Sequence, residues 1–206
     1  GISAGNPVLG YATDDALLPK VLFMVILAPV IEEYIFRKQL IDRMHIYGEK
    51  LAVITSALMF GLFHGNLSQL FYAFALGLVF GYVYLKTGRL RYSIGLHMLI
   101  NFIGSVVGPF FLEKLAVLDT METMDLATLE PILPWLLGFG AYVLVLIGLA
   151  IAGLVLLCIN KRRVSFAPAE LELPKESCFK IVYVNVGMIL LLVGCVALIL
   201  ANVIPL

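Results

Sequence analysis

The chain has 206 residues, of which 62% are hydrophobic and 14% charged; mean hydropathy is +1.03 and the formal net charge is zero. That much apolar surface exceeds what a soluble domain buries, so the chain reads as a polytopic membrane protein, and no basic excess points to nucleic acid. The three cysteines, Cys158, Cys178 and Cys195, are scattered without CxxC spacing and indicate neither a disulfide framework nor a cysteine metal site.

Residues 1–19 are polar and turn-rich and read as a loop into the first span. The chain starts at Gly1 with no signal peptide before the first apolar run, so an upstream portion with further helices is expected. Span A, residues 17–41, carries Glu32, Glu33 and Arg37. Pro29, one turn before Glu32, is expected to leave the Val25 carbonyl without its amide and to kink the helix beside the acidic pair. Residues 42–50 read as a polar connector. Span B, 51–65, is short and ends in Phe60-Gly61-Leu62-Phe63-His64-Gly65-Asn66. Span C, 67–85, holds Gly77 and Gly81, a small-xxx-small pair that lets another helix approach closely. A basic turn with Lys86, Arg89 and Arg91 leads to span D, 92–112, which contains His97 and Asn101.

Residues 113–131 mix acidic and apolar side chains and are expected to lie on the membrane surface, followed by Trp135 at an interface. Spans E (133–159) and F (181–204) are plain apart from Asn185, and Lys161, Arg162 and Arg163 follow the first of them. The expected architecture is all-α: a polytopic transmembrane helical bundle of about six spans around a polar intramembrane cavity. Residues 1–206 form one integral-membrane domain, with a core at 17–112, the surface amphipathic segment at 113–131 and two C-terminal transmembrane helices in 132–206. The basic turns at 86–91 and 161–163 belong in the cytoplasm and the acidic segment outside, which also leaves both chain ends outside.

A charge at the centre of a membrane helix costs roughly 2.5–3.5 kcal/mol on insertion scales, so three within two turns of span A need a reason. Glu33 and Arg37 are four apart and can pair on one helix face. Glu32 is rotated about 100° from Glu33 and has no basic residue three or four positions away. A carboxylate left unpaired in a dry site is a candidate general base. The bland alternative is an Arg–Glu structural clamp with a snorkelling side chain, which leaves Glu32 idle.

The depths of the other polar groups agree. By helical rise Glu32 lies about 13 Å from the inner face, His64 about 20 Å, and His97 and Asn101 about 8 and 14 Å. Three helices thus bring ionisable groups into one layer, where they should face each other. Taken singly, His64 reads as a helix-end residue and Asn101 as helix glue. Taken together, a carboxylate, two imidazoles and an amide are the parts that activate water and hold an oxyanion.

Glu32-Glu33-Tyr34-Ile35-Phe36-Arg37 matches EExxxR, Phe60 through His64 matches FxxxH, and His97 through Asn101 matches HxxxN. In this order the chain resembles the CAAX protease and bacteriocin-processing (CPBP) family of intramembrane endopeptidases, over about Val21 to Gly108. The resemblance implies a CPBP-like catalytic core and a peptide bond hydrolysed by water that Glu32 and His64 activate, with no required metal. It implies that His97 and Asn101 stabilise the oxyanion, and that Glu33 and Arg37 organise the site. The implied partners are the lipid bilayer and a peptide or protein substrate, prenylated or otherwise membrane-bound. The implied location is a bacterial plasma membrane, with multiple spans. Two alternatives stand beside it: a zinc peptidase with Glu32, His64 and His97 as ligands, and a non-catalytic membrane protein of the bacteriocin-immunity type. Arg37 beside the supposed ligands and the lack of an HExxH helix count against zinc.

Overall fold

The computed structural model describes residues 17–120 and 129–203, and every regular element among them is helical. In chain order these are α1 (17–47), α2 (Glu49–Phe63), α3 (Leu67–Thr87), α4 (Leu90–Phe102), α5 (Leu133–Asn160), α6 (Lys175–Tyr183) and α7 (Val186–Val203). The chain forms two units, one of residues 1–101 and 166–206 and one of residues 102–165.

In the first unit, α1 is continuous but uneven. Wide π turns at Val21–Leu27 and Tyr34–Ile41 flank a regular α segment, Ala28–Glu33, with Pro29 in its first turn. A proline ring clashes with the carbonyl four residues back, and a wider turn ahead of it relieves that clash. The connector expected at 42–50 is mostly helix: α1 runs on to Tyr47 and only Gly48 leaves it, at φ 113°, ψ 133°. That backbone conformation suits only glycine, so a single residue makes the corner between α1 and α2.

Helices α2 and α3 lie with backbones touching. A Cβ on Gly77 would stand 2.9 Å from the Ala57 Cα, and one on Gly81 would stand 3.3 Å from both Ile41 Cδ1 and Val53 Cγ1. In lipid the solvent gives helices no hydrophobic reason to associate, so close van der Waals fit of this kind carries the packing. Two buried clusters result. Phe36, Met59, Phe60 and Ala73 form one, with Met188 and Leu192 of α7 against it. Ile41, Ala52, Val53 and Tyr84 form the other, with Phe166 against it.

The span expected at 181–204 is broken. Helix α6 meets α7 at a 68° bend. Asn185 holds the break from both sides: its Nδ2 donates to the Ile181 and Val182 carbonyls at 3.3 and 3.1 Å, and its Oδ1 accepts the Met188 amide at 3.0 Å. A side chain that competes for backbone partners on both flanks favours a corner over a through-helix.

In the second unit, the chain continues from α4 through a π segment, Ile103–Val107, into Gly108–Leu115 and a 3₁₀ turn, Ala116–Thr120. The surface segment expected at 113–131 therefore begins inside a helix; its residues 121–128 lie outside the described residues. Phe111 stacks on Tyr142 with ring centroids 5.5 Å apart, and Phe110 meets Trp135 edge-on at 5.8 Å. Helix α5 buries none of its side chains although nearly all are apolar, as expected of a surface bathed in lipid.

Three helical stretches among the described residues are long and apolar enough to cross a membrane: Leu67–Thr87, Leu90–Asp119 and Leu133–Arg163. The bent α6–α7 pair makes a fourth if it counts as one span. Of the six spans expected, the other two differ for physical reasons. Helix α1 carries Glu32, Glu33, Arg37 and Lys38 within two turns, and α2, with 15 residues, reaches only about 22 Å.

Candidate active site

Glu33 and Arg37 meet one turn apart on α1. The guanidinium Nε donates to Glu33 Oε2 at 3.0 Å and Nη2 to Oε1 at 3.2 Å, and both side chains are fully buried. The remaining nitrogen, Nη1, donates to Ser56 Oγ on α2 at 2.9 Å, and that hydroxyl donates in turn to the Phe36 carbonyl at 2.7 Å. The Phe60 ring lies under the guanidinium, 4.7 Å from Arg37 Cζ. A buried ion pair is sustainable when its hydrogen-bonding capacity is filled in this way.

His97 of α4 binds the same carboxylate. Its Nδ1 stands 3.1 Å from Glu33 Oε1. An ionised carboxylate only accepts, so Nδ1 carries the proton and the tautomer is set. The opposite nitrogen, Nε2, then faces Glu32 Oε2 at 3.7 Å. Phe80 stacks on the imidazole at 5.2 Å and Phe60 meets it edge-on at 5.4 Å. Glu32 retains 19% side-chain exposure, whereas Glu33 has none. Two adjacent carboxylates are thereby split: one is neutralised and sealed, the other is open.

His64 ends α2. Its Nδ1 donates to the Phe60 carbonyl at 2.8 Å, which leaves Nε2 as an acceptor when the ring is neutral. The ring packs edge-on against Phe60, with centroids 4.9 Å apart. Phe60 thus touches Arg37, His64 and His97 together, which gives the aromatic position of FxxxH a physical purpose.

Asn101 makes a contact that spacing alone could not supply. Its Nδ2 donates to the Met24 carbonyl at 2.8 Å. Met24 lies in the π segment before Pro29, where the Ala28 amide bonds the Phe23 carbonyl, five residues back. In that register the next amide, at Pro29, would serve Met24, and proline has none. In the π register Pro29 leaves the Met24 carbonyl without its amide, where an α register implies Val25, and Asn101 fills the place at Met24.

Ser56, Phe80 and Met24 were not singled out from the sequence. Ser56, Phe60 and His64 recur every four residues on α2, so one face of that helix carried the signal for Ser56. Phe80 and Met24 had none. Among the described residues, no three His, Cys, Asp or Glu side chains form a metal-holding group, and that includes Glu32, His64 and His97.

Residues 14–103 match the family model described as type II CAAX prenyl endopeptidase Rce1-like. That stretch is similar to the Rce1-like CAAX proteases. It takes in all three motifs and bears out the resemblance read from them. The chain is 33% identical over 88 residues to the membrane-embedded CAAX protease MroQ of Staphylococcus aureus (strain USA300), covering 39% of this chain and 36% of that protein. It is 32% identical over 80 residues to YdiL of Bacillus subtilis (strain 168), whose name proposes a membrane peptidase, covering 37% of this chain and 32% of YdiL. The match thus spans about a third of each relative's length. No solved structure matches the chain significantly. Buried charges, apolar helices and CAAX-protease likeness together make this a membrane protein.

Proposed function

We propose that the chain is an intramembrane endopeptidase of glutamate type, in which Glu32 activates the water that attacks a peptide carbonyl. The observation that carries this reading is the split of the acidic pair. Glu33 is spent on Arg37 and His97, while Glu32 makes no direct hydrogen bond among the described residues and stands 3.7 Å from His97 Nε2. Two groups at that separation can both reach one water molecule at about 2.8 Å.

In the proposed reaction, Glu32 takes a proton from water as the water oxygen bonds to the scissile carbonyl carbon, and the His64 Nε2 lone pair orients that water. The oxyanion forms beside His97 and Asn101. Because His97 Nδ1–H is committed to Glu33, an oxyanion role for His97 needs a second proton, on Nε2, and Glu32 is its nearest source. Collapse of the tetrahedral adduct breaks the C–N bond, and the proton taken from water, held on His97 Nε2 while the oxyanion lasts, returns through Glu32 to the leaving amine. No metal is required in this scheme. The substrate is a peptide or protein segment in the bilayer, prenylated or otherwise membrane-bound. The setting is a bacterial plasma membrane, with about six spans around a polar cavity and the turns at 86–91 and 161–163 on the cytoplasmic side.

The test is Glu32→Gln, which keeps shape and hydrogen bonding but cannot take the proton. Purified protein in nanodiscs should lose cleavage of a reporter peptide while retaining its helical content and yield. Cleavage at the wild-type rate would overturn the reading. Loss of wild-type activity on chelation, restored by zinc, would transfer His64 and His97 to a metal.

A further inference from the structure

Helices α6 and α7 lie beyond the stretch that matches the protease family, yet they engage the middle and the end of the helix that carries His64. At its middle, the Thr55 hydroxyl and the Tyr183 hydroxyl share a hydrogen bond of 2.7 Å. In its last turns, Met188 and Leu192 pack against the cluster that contains Phe60. At its end, Leu198 Cβ lies 3.1 Å from where a Cβ on Gly65 would sit, and Asn202 Nδ2 donates to the Gly65 carbonyl at 2.8 Å. Residues 188, 192, 195, 198 and 202 follow one another at spacings of three and four, so they form one stripe along α7. The bend at Asn185 allows the grip, because it turns the chain after Tyr183 has engaged Thr55 and lets α7 run on toward Gly65.

We infer that Asn202 is a positioning residue for His64: through the Gly65 carbonyl it fixes the turn on which His64 stands, and so the placement of the imidazole. This rests on the role of His64 in the reaction proposed above. The turn's other hydrogen bonds are local, among them the Gly65 amide to the Leu62 carbonyl at 3.0 Å. His64 is the first residue past α2, its ring bonds only to the preceding turn at Phe60, and the Asn66 side chain is engaged downstream on Ser68. A carbonyl at membrane depth seeks a donor, and Asn202 supplies one from α7, 137 residues further along the chain. Asn202 touches no reacting group, so its effect must pass through the geometry of residues 64–65.

The experiment uses the whole chain in nanodiscs with ¹³C-labelled histidine. The three histidines, His45, His64 and His97, give resolvable and assignable ring signals. Asn202→Asp keeps the size but presents a carboxylate, with no donor, to the Gly65 carbonyl; Asn202→Ala is the second variant, without the charge. Both should shift the His64 ring signals and leave those of His45 and His97 in place. Both should lower kcat about tenfold with KM within about twofold, as expected for a misplaced group that acts in the reaction rather than in binding. Asn202→Gln retains an amide donor and should recover part of both effects. His64 signals unmoved in both variants would overturn the inference whatever the activity. Signals that move while kcat holds would overturn the catalytic consequence and remove His64 from the reaction. Glu32→Gln tests the reaction itself separately, since the His64 signals can be read in a protein that does not cleave.

Discussion

His97 is oriented by Glu33: a 3.1 Å hydrogen bond from Nδ1 to Oε1 leaves Nε2 directed at Glu32. The carboxylate that does this is itself held by the Arg37 fork, so the ring is aimed by an ion pair that never meets the substrate. Metal-ligating and catalytic histidines are commonly steered in this manner, by what their second nitrogen binds.

The Glu33–Arg37 pair should therefore fail as a unit. Arg37→Ala strands a fully buried carboxylate and is expected to destabilise the fold by about 3–5 kcal/mol, with loss of folded yield. Arg37→Lys keeps the charge but cannot match the fork and reach Ser56 at once. A double substitution, Glu33→Gln with Arg37→Gln, should recover yield relative to Arg37→Ala while leaving His97 without its anchor and activity low. Thermal unfolding in detergent measures the first effect and peptide cleavage the second; additive losses of stability would exclude the coupling.

Asn101→Ala removes one side chain with two proposed uses. Loss of an oxyanion donor typically lowers kcat about a hundredfold or more. Loss of the bond to Met24 bares a helix carbonyl, and a buried unsatisfied group costs about 1–3 kcal/mol. Both a fall in kcat and a fall in Tm are expected, with KM little changed. A lower Tm at unchanged turnover number would reduce Asn101 to a tie between α4 and α1.

Gly77→Leu should separate α2 from α3. A Cβ at that position would already approach the Ala57 backbone to 2.9 Å, so one backbone has to move. Overpacking of this kind costs about 1–3 kcal/mol. Since α2 carries Ser56, Phe60 and His64, activity should fall even under conditions where the variant remains folded. Full activity in Gly77→Leu would mean that the two backbones are not held at that distance.

A pH effect is expected at Glu49, ahead of the apolar part of α2. Burial alone would push its carboxyl up, but hydrogen bonds from Lys86 at 2.7 Å and the Ala167 amide at 2.6 Å outweigh it and hold the carboxyl below its ordinary 4.5. A depressed folded value means that the contact stabilises above 4.5 and that this is lost as pH falls through the lower, folded value. Glu49→Gln should be less stable than wild type at neutral pH by about 0.2–1 kcal/mol. The gap should close as pH is lowered beneath 4.5, which melting curves across that range would follow.

The site was more legible than the scaffold. Glu33 and Arg37 could be paired from the sequence because both lie on one helix and the spacing is local. His97 could be brought near them because an ionisable side chain in lipid must find company. Its particular partners could not, since Phe80 and Phe60 are two aromatics among many in apolar helices. The same uniformity hid the bend at Asn185, one polar residue in a run where any length of helix would satisfy hydropathy. The connector at 42–47 was misjudged because charge marks solvent exposure, not the end of a helix. The partner of Asn101 was hidden most deeply: it depends on a π register, which the regular α-helical count does not contain.

That register bears on how the protein is made. Within the hydrocarbon layer a bare carbonyl has nowhere to turn, and each costs several kcal/mol. By carrying Pro29, α1 is unable to complete its own backbone, and the missing donor arrives 77 residues later in synthesis, on Asn101. Until then the segment with both glutamates lacks that donor, which favours the interface or a chaperoning insertase over free lipid. The strand of polypeptide that settles it also carries His97, so the step that makes the helix whole is the step that closes the acidic pair around its imidazole.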